Sequence, residues 1–143
     1  MTALGALVEE GLVRTDVPLG PLTTYKFGGN ARHFAELERT EEILRLAAAL
    51  REEPGSFLVL GRGSNIVVSD TGFPGIVLRL GRGFTWSEIS TEGSVSAGAA
   101  ASLPLLAWEA ARAGRGGLEF FVGVPGSVGG GVRMNAGCHG SEM

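Results

Sequence analysis

Apolar residues recur at helical spacing in three stretches of this chain and elsewhere gather in short runs broken by glycine. Residues 2–10 carry Leu4, Leu7 and Val8 on one side and stop at Gly11, which predicts a short amphipathic helix. Thr40 is suited to cap a second, Glu41 and Glu42 suit its first turn, and Ile43, Leu44, Ala47 and Leu50 form one apolar face that carries it to Arg51. Ser102 is placed to cap a third, with Pro104 tolerated in the first turn, Leu105, Leu106, Trp108 and Ala110 behind it, and Gly114 at its end.

The remaining apolar runs have strand length. Residues 32–37 and 57–60 flank the second helix, and the order strand, helix, strand predicts a right-handed crossover between parallel strands. Residues 66–68, 75–80, 84–89 and 94–97 follow as short strands, punctuated by Asp70, Gly72, Gly81, Gly83 and Gly93. LEFFV at residues 118–122 reads as a further strand with Glu119 turned outward. The change of pattern puts a boundary between two small α+β subdomains, residues 1–65 and 66–143.

Composition agrees with a globular protein and narrows its partners. Of the 143 residues, 44% are apolar and 19% charged, enough for a core in one ordinary domain or two small ones. A net charge of −3 with no basic stripe argues against nucleic acid. The lone Cys138 cannot form an internal disulfide, the acidic start MTALGALVEEG is unlike a signal peptide, and no run of apolar residues is long enough to span a bilayer. A cytoplasmic location without a membrane partner is expected.

The 24 glycines concentrate in two stretches, LGRGSN at residues 60–65 and GVPGSVGGG at residues 123–131. Without a Cβ, backbone N–H groups can turn toward a ligand, and a phosphorylated cofactor is the natural one. The first stretch lacks the third glycine and following helix of a dinucleotide fingerprint, and it has no Walker lysine. It can still nest a pyrophosphate, with the Ser64 hydroxyl and Asn65 amide as added donors; a tight turn without a ligand explains the same residues equally well. In the second, Val124, Val128 and Val132 alternate with glycines after Pro125, which suits a flat ring whose carbonyls the amides would face, with Ser127 and Asn135 adding polar groups. A packing segment where two backbones cross is the alternative.

Other residues offer less. Tyr25 and Lys26 could stack on a cofactor and pair with phosphate, or could be an edge aromatic and its solvated neighbour. His33 and His139 read as ordinary surface or core histidines, Trp86 and Trp108 as core or interface, and Cys138 as incidental. No metal site, carboxylate pair or nucleophile with its base emerges.

PLGPLTTYKFGGNARHFAEL, VLGRGSNIVVSDTGFPGIVLRL and LEFFVGVPGSVGGGVRMNAGCHGSE, in that order, resemble the UDP-N-acetylenolpyruvoylglucosamine reductase (UDP-N-acetylmuramate dehydrogenase, MurB) family over residues 17–142. The resemblance implies an α+β FAD-binding fold of the MurB or PCMH type, two subdomains with a glycine-rich cofactor cleft between them, and FAD held without a covalent link. It implies NADPH as hydride donor and reduction of an enolpyruvyl UDP-sugar in peptidoglycan precursor synthesis. Gly61, Arg62, Gly63, Ser64 and Asn65 match the family's pyrophosphate turn. Val124, Pro125, Gly126, Ser127, Gly129, Gly130 and Gly131 match the segment lining the flavin; Asn135, Ala136, Gly137 and Gly140 match the segment after it, and Tyr25 falls in the early motif. Arg62 or Arg133 would help to hold the diphosphate. The family's catalytic arginine, serine and glutamate lie in a substrate domain for which this chain has no match. The expectation is therefore an FAD-binding part, inactive alone, that needs a further domain or partner chain. The flavin subunit of another oxidoreductase and a noncatalytic nucleotide-binding module are the alternatives.

Overall fold

A computed structural model describes residues 2–143 and divides the chain into two compact units, Met1–Gly81 and Arg82–Met143. In the first, α1 (Ala3–Glu9) is capped by the Thr2 hydroxyl, which accepts from the Gly5 N–H at 3.0 Å. There follow β1 (Arg14–Pro18), β2 (Asn30–Leu37), α2 (Thr40–Glu52), β3 (Phe57–Val59) and β4 (Phe73–Leu80). The strands form one sheet in the order β1-β2-β4-β3. β1 runs antiparallel to β2, whereas β2 and β3 both run parallel to β4.

The strand, helix, strand unit therefore has parallel strands as expected, but they are not neighbours: β4 lies between them. Ile76 and Val77 of β4 are buried, as a central strand with both faces covered requires. This is also why the first unit ends at Gly81 rather than at residue 65: cutting there would remove the middle of its sheet.

The two faces of the sheet are covered differently. One packs Ala35, Leu37 and Ile76 against Leu7, Leu46 and Ala49 of the two helices. The other packs Phe34 and Val77 against Leu19, Leu60 and Val68, with Leu22 and Ile66 beside them. Residues 66–68 were expected as a strand but have no ladder partner; their apolar side chains serve this second face from an irregular segment.

α2 begins with Thr40 as a helical residue and Arg39 in the capping position. The cap comes instead from Glu42, which is buried and whose carboxylate accepts the N–H groups of Glu38 at 2.6 Å and Arg39 at 3.2 Å and the Arg39 guanidinium at 2.7 Å. The Glu38 N–H and then the Arg39 side chain hold the Glu42 carboxyl below its ordinary 4.5.

The second unit opens with a 3-10 turn, Arg82–Phe84, and the antiparallel pair β5 (Ser87–Ile89) and β6 (Val95–Ala97), so the strand expected over residues 84–89 is half as long. α3 (Leu103–Arg112) starts after Ser102, whose hydroxyl makes no capping bond. Residues 118–122 are not a strand: Glu119–Gly123 is a 3-10 turn, with the Glu119 carboxylate accepting the Gly117 N–H at 2.7 Å and Phe121 buried against Leu103 and Ala107. α4 (Val128–Met134) and the small hairpin β7 (Gly137–Cys138) and β8 (Ser141–Glu142) complete the unit. Trp86 and Trp108 are exposed rather than core; at Trp108 this is because Leu103, Leu106, Ala107 and Ala110 fill the inward side of α3. Among the described residues no helix is long and apolar enough to cross a membrane.

Candidate cofactor-binding site

Residues 61–65 open the connection, residues 60–72, from edge strand β3 to the parallel central strand β4. Gly63 is the pivot of this turn. Its φ is +69°, and a Cβ there would lie 2.7 Å from the Thr23 Cα and closer still to the Leu22 carbonyl oxygen. Its own carbonyl accepts the Thr24 N–H at 2.9 Å. Only glycine meets both conditions, a left-handed backbone and contact with another main chain.

Gly63 is buried, yet its N–H finds no acceptor among the described residues; neither do those of Gly61, Arg62 and Asn65. A buried N–H without a partner is costly unless something else accepts it. These donors suit an anionic ligand.

The second glycine stretch differs from expectation, because half of it is helix. Ser127 caps α4 by accepting the Gly130 N–H at 3.3 Å. Val128 donates to the Ala101 carbonyl at 2.9 Å, Gly129 to the Ala99 carbonyl at 2.8 Å and Gly131 to Ser127 at 2.8 Å. The amides of residues 128–131 are thus engaged within the protein and do not present a row of donors to a ring. Two of the glycines answer to packing: a Cβ on Gly129 would lie 3.0 Å from that of Ala99, and one on Gly131 would lie 3.0 Å from the Leu103 Cδ1. Val124 and Val128 pack toward Leu103 and Phe121, while Val132 is exposed.

One donor remains in this stretch for a physical reason. Ser102 and Ser127 form an antiparallel bridge in which the flanking residues bond, Leu103 to Gly126 at 3.1 Å and Val128 to Ala101 at 2.9 Å. In such a pair the N–H of the bridging residue points outward. Ser127 is buried, and its N–H has no acceptor among the described residues; nor has that of Gly126. Past the helix, Asn135 takes a left-handed φ of 47° and ends α4, with Ala136 donating to Gly131 at 2.9 Å. Gly137 enters β7, and Gly140 with His139 makes the two-residue hairpin turn, both at positive φ. Pro125 and Arg133 are exposed.

Tyr25 is 55% exposed and leans on Phe27 at 6.0 Å between ring centroids. The Lys26 ammonium turns back onto the Pro21 carbonyl at 3.0 Å. His33 lies in β2 with an unpartnered Nδ1. Cys138 is a free, half-buried thiol. A shallow depression of about 390 Å³, lined by Gly117, Glu119, Phe120, His139 and Ser141, includes none of the expected cofactor residues. Among the described residues no three His, Cys, Asp or Glu side chains could hold a metal ion. Spacing alone gave no sign of Leu22, Thr23 and Thr24 as the wall behind Gly63.

A family model described as an FAD binding domain matches residues 31–143, most of the chain. The chain belongs to this FAD-binding family. Its similarity to curated relatives extends further toward the start. UDP-N-acetylenolpyruvoylglucosamine reductase of Synechococcus sp. (strain CC9311) is 44% identical over 97% of the chain, and that of Acidiphilium cryptum (strain JF-5) is 46% identical over 93%. The crystal structure of UDP-N-acetylenolpyruvylglucosamine reductase (MurB) from Thermus caldophilus is 40% identical over 91% of the chain and superposes with a TM-score of 0.72. The mixed helix and sheet architecture of this FAD-binding chain is therefore that of the MurB fold. The chain spans 45%, 42% and 45% of the lengths of these three proteins.

Proposed function

We propose that this chain holds FAD noncovalently as the cofactor-binding part of a UDP-N-acetylenolpyruvoylglucosamine reductase. The observation that carries the reading is the buried Gly63 of the first unit, whose backbone N–H has no acceptor among the described residues, in a chain of the FAD-binding family. Residues 61–65 offer the donors for the pyrophosphate, supported by the guanidinium of Arg62. In the second unit, taken by itself, the N–H groups of Gly126 and Ser127, rather than those of Val128, Gly129, Gly130 and Gly131, are the ones open to a ligand. Bound FAD supplies a hydride acceptor and donor. The residues of this chain bind and orient it by main-chain hydrogen bonds strengthened by the charge of the diphosphate.

In the whole enzyme NADPH is the hydride source, the enolpyruvyl ether of a UDP-sugar is reduced, and the product serves peptidoglycan synthesis in the cytoplasm. The proton donor and the substrate-binding residues lie in the part of the relatives that this chain does not span. Tyr25, Asn135, Ala136, Gly137 and Gly140 belong to the same cofactor reading as secondary contacts.

Titration with FAD, followed by flavin fluorescence and thermal melting, tests the proposal. One FAD per chain and a rise in melting temperature is the expected result. A folded chain that binds no FAD refutes it.

A further inference from the structure

Thr23, Glu42 and Ser127 are the buried polar residues among those described. Glu42 caps α2 and Ser127 caps α4. Thr23 is 2% exposed and serves no α-helix. Its hydroxyl donates to the Gly20 carbonyl at 3.0 Å and accepts the Lys26 N–H at 3.3 Å, closing residues 20–26 into a compact turn. The Thr23 N–H also reaches the Gly20 carbonyl at 3.0 Å. The turn is held against its own preference, since Lys26 takes a φ of +62°, uncommon for a residue with a side chain.

The face of this turn is what Gly63 rests on. Thr23 Cα and the Leu22 carbonyl leave no room for a Cβ on Gly63, and the adjacent Thr24 N–H holds the Gly63 carbonyl at 2.9 Å. The Gly63 N–H, which has no acceptor among the described residues, therefore belongs to a residue whose Cα and carbonyl are both fixed against this turn. Among the described residues there is no cis peptide.

We propose that Thr23 is a positioning residue for the diphosphate group of the cofactor: by closing residues 20–26 it sets the peptide orientation of the turn at residues 61–65. The inference rests on the FAD reading above and concerns a residue outside the segment matched by the family model, which begins at residue 31. Thr23 touches no ligand itself. Its effect passes through the Thr24 to Gly63 hydrogen bond.

The test compares Thr23→Val and Thr23→Ser with the wild-type chain, using FAD and riboflavin, which lacks the diphosphate. Thr23→Val keeps the shape and removes the hydroxyl, so the Kd for FAD is expected to rise about tenfold while the riboflavin Kd is unchanged, and Thr23→Ser restores FAD affinity. Amide exchange without cofactor gives a second readout: the Thr24 N–H should exchange faster in Thr23→Val and recover in Thr23→Ser. Wild-type FAD affinity in folded Thr23→Val overturns the proposal alone. Equal weakening toward FAD and riboflavin also overturns it, reducing Thr23 to a structural residue. A wild-type chain that binds no FAD overturns the cofactor reading and this inference with it.

Discussion

The backbone N–H of Thr24 donates to the carbonyl oxygen of Gly63 at 2.9 Å, joining two segments far apart in sequence on one face of the first sheet. Replacing Gly63 with alanine puts a methyl group against main-chain atoms of Leu22 and Thr23 and forces a left-handed φ on a residue that resists it. The expected cost is about 1–3 kcal/mol of stability. Urea unfolding of Gly63→Ala measures it, and a stability equal to wild type would contradict the packing described.

Ser127 is expected to matter before any cofactor is present. Its hydroxyl caps α4 through the Gly130 N–H, so Ser127→Ala should lose about 1 kcal/mol in the FAD-free chain. Denaturant titration without FAD is the measurement; an effect that arises only with FAD bound would assign the hydroxyl to the ligand instead.

Neighbouring glycines of α4 should respond with opposite signs. A methyl group on Gly129 meets Ala99 at 3.0 Å, with the Ala99 carbonyl oxygen at 3.1 Å, and Gly129→Ala is expected to destabilise. On Gly130 it meets only the rotatable Ser127 hydroxyl at 3.3 Å. Gly130→Ala should therefore gain up to about 1 kcal/mol from reduced freedom of the unfolded chain. Melting temperatures of the two variants decide this, and FAD affinity of Gly130→Ala then shows whether its missing side chain serves the ligand.

The low-pH stability of the first unit should depend on Glu42. Its carboxyl is held below the ordinary 4.5, chiefly by the Glu38 N–H and then by Arg39. A depressed folded-state value means that the stabilisation is complete above 4.5 and is lost as pH falls through the lower folded-state value. Stability curves between neutral and acid pH should be flatter for Glu42→Gln than for wild type. Parallel curves would show that the cap does not titrate with folding.

Helices α1 to α3 and strands β2 to β6 were legible because their signals are local. The apolar spacing of Leu4, Leu7 and Val8 and of Ile43, Ala47 and Leu50 marks a helix whatever the rest of the chain does, although Leu44, read into the second face, is exposed while Leu46 and Ala49 are the buried positions. The insertion of β4 between β2 and β3 has no local signal, since strand order depends on which buried run reaches the centre. Ile66 and Val68 look like strand for the right reason, burial, but the wrong geometry. In the second unit, glycine content suggested open loop, while the cap at Ser127 and the carbonyls of Ala99 and Ala101 organise the same residues into helix. The family resemblance named the glycine segments, and the match to the FAD-binding family agrees with it. Which N–H groups are unpaired became readable only once their competitors were in place.

The place of β4 also governs when the first unit can form during synthesis. Its central strand is the last to leave the ribosome, so β2, α2 and β3 emerge without the partner that links them. Until Leu80 is out, Phe57 and Val59 belong to no ladder and the turn before β4 has only one anchored end. Such late, non-local pairing slows folding and leaves apolar strands exposed to one another. A nascent chain stalled before β4 should be an open substrate for proteases and chaperones, and one released just beyond Gly81 should resist both.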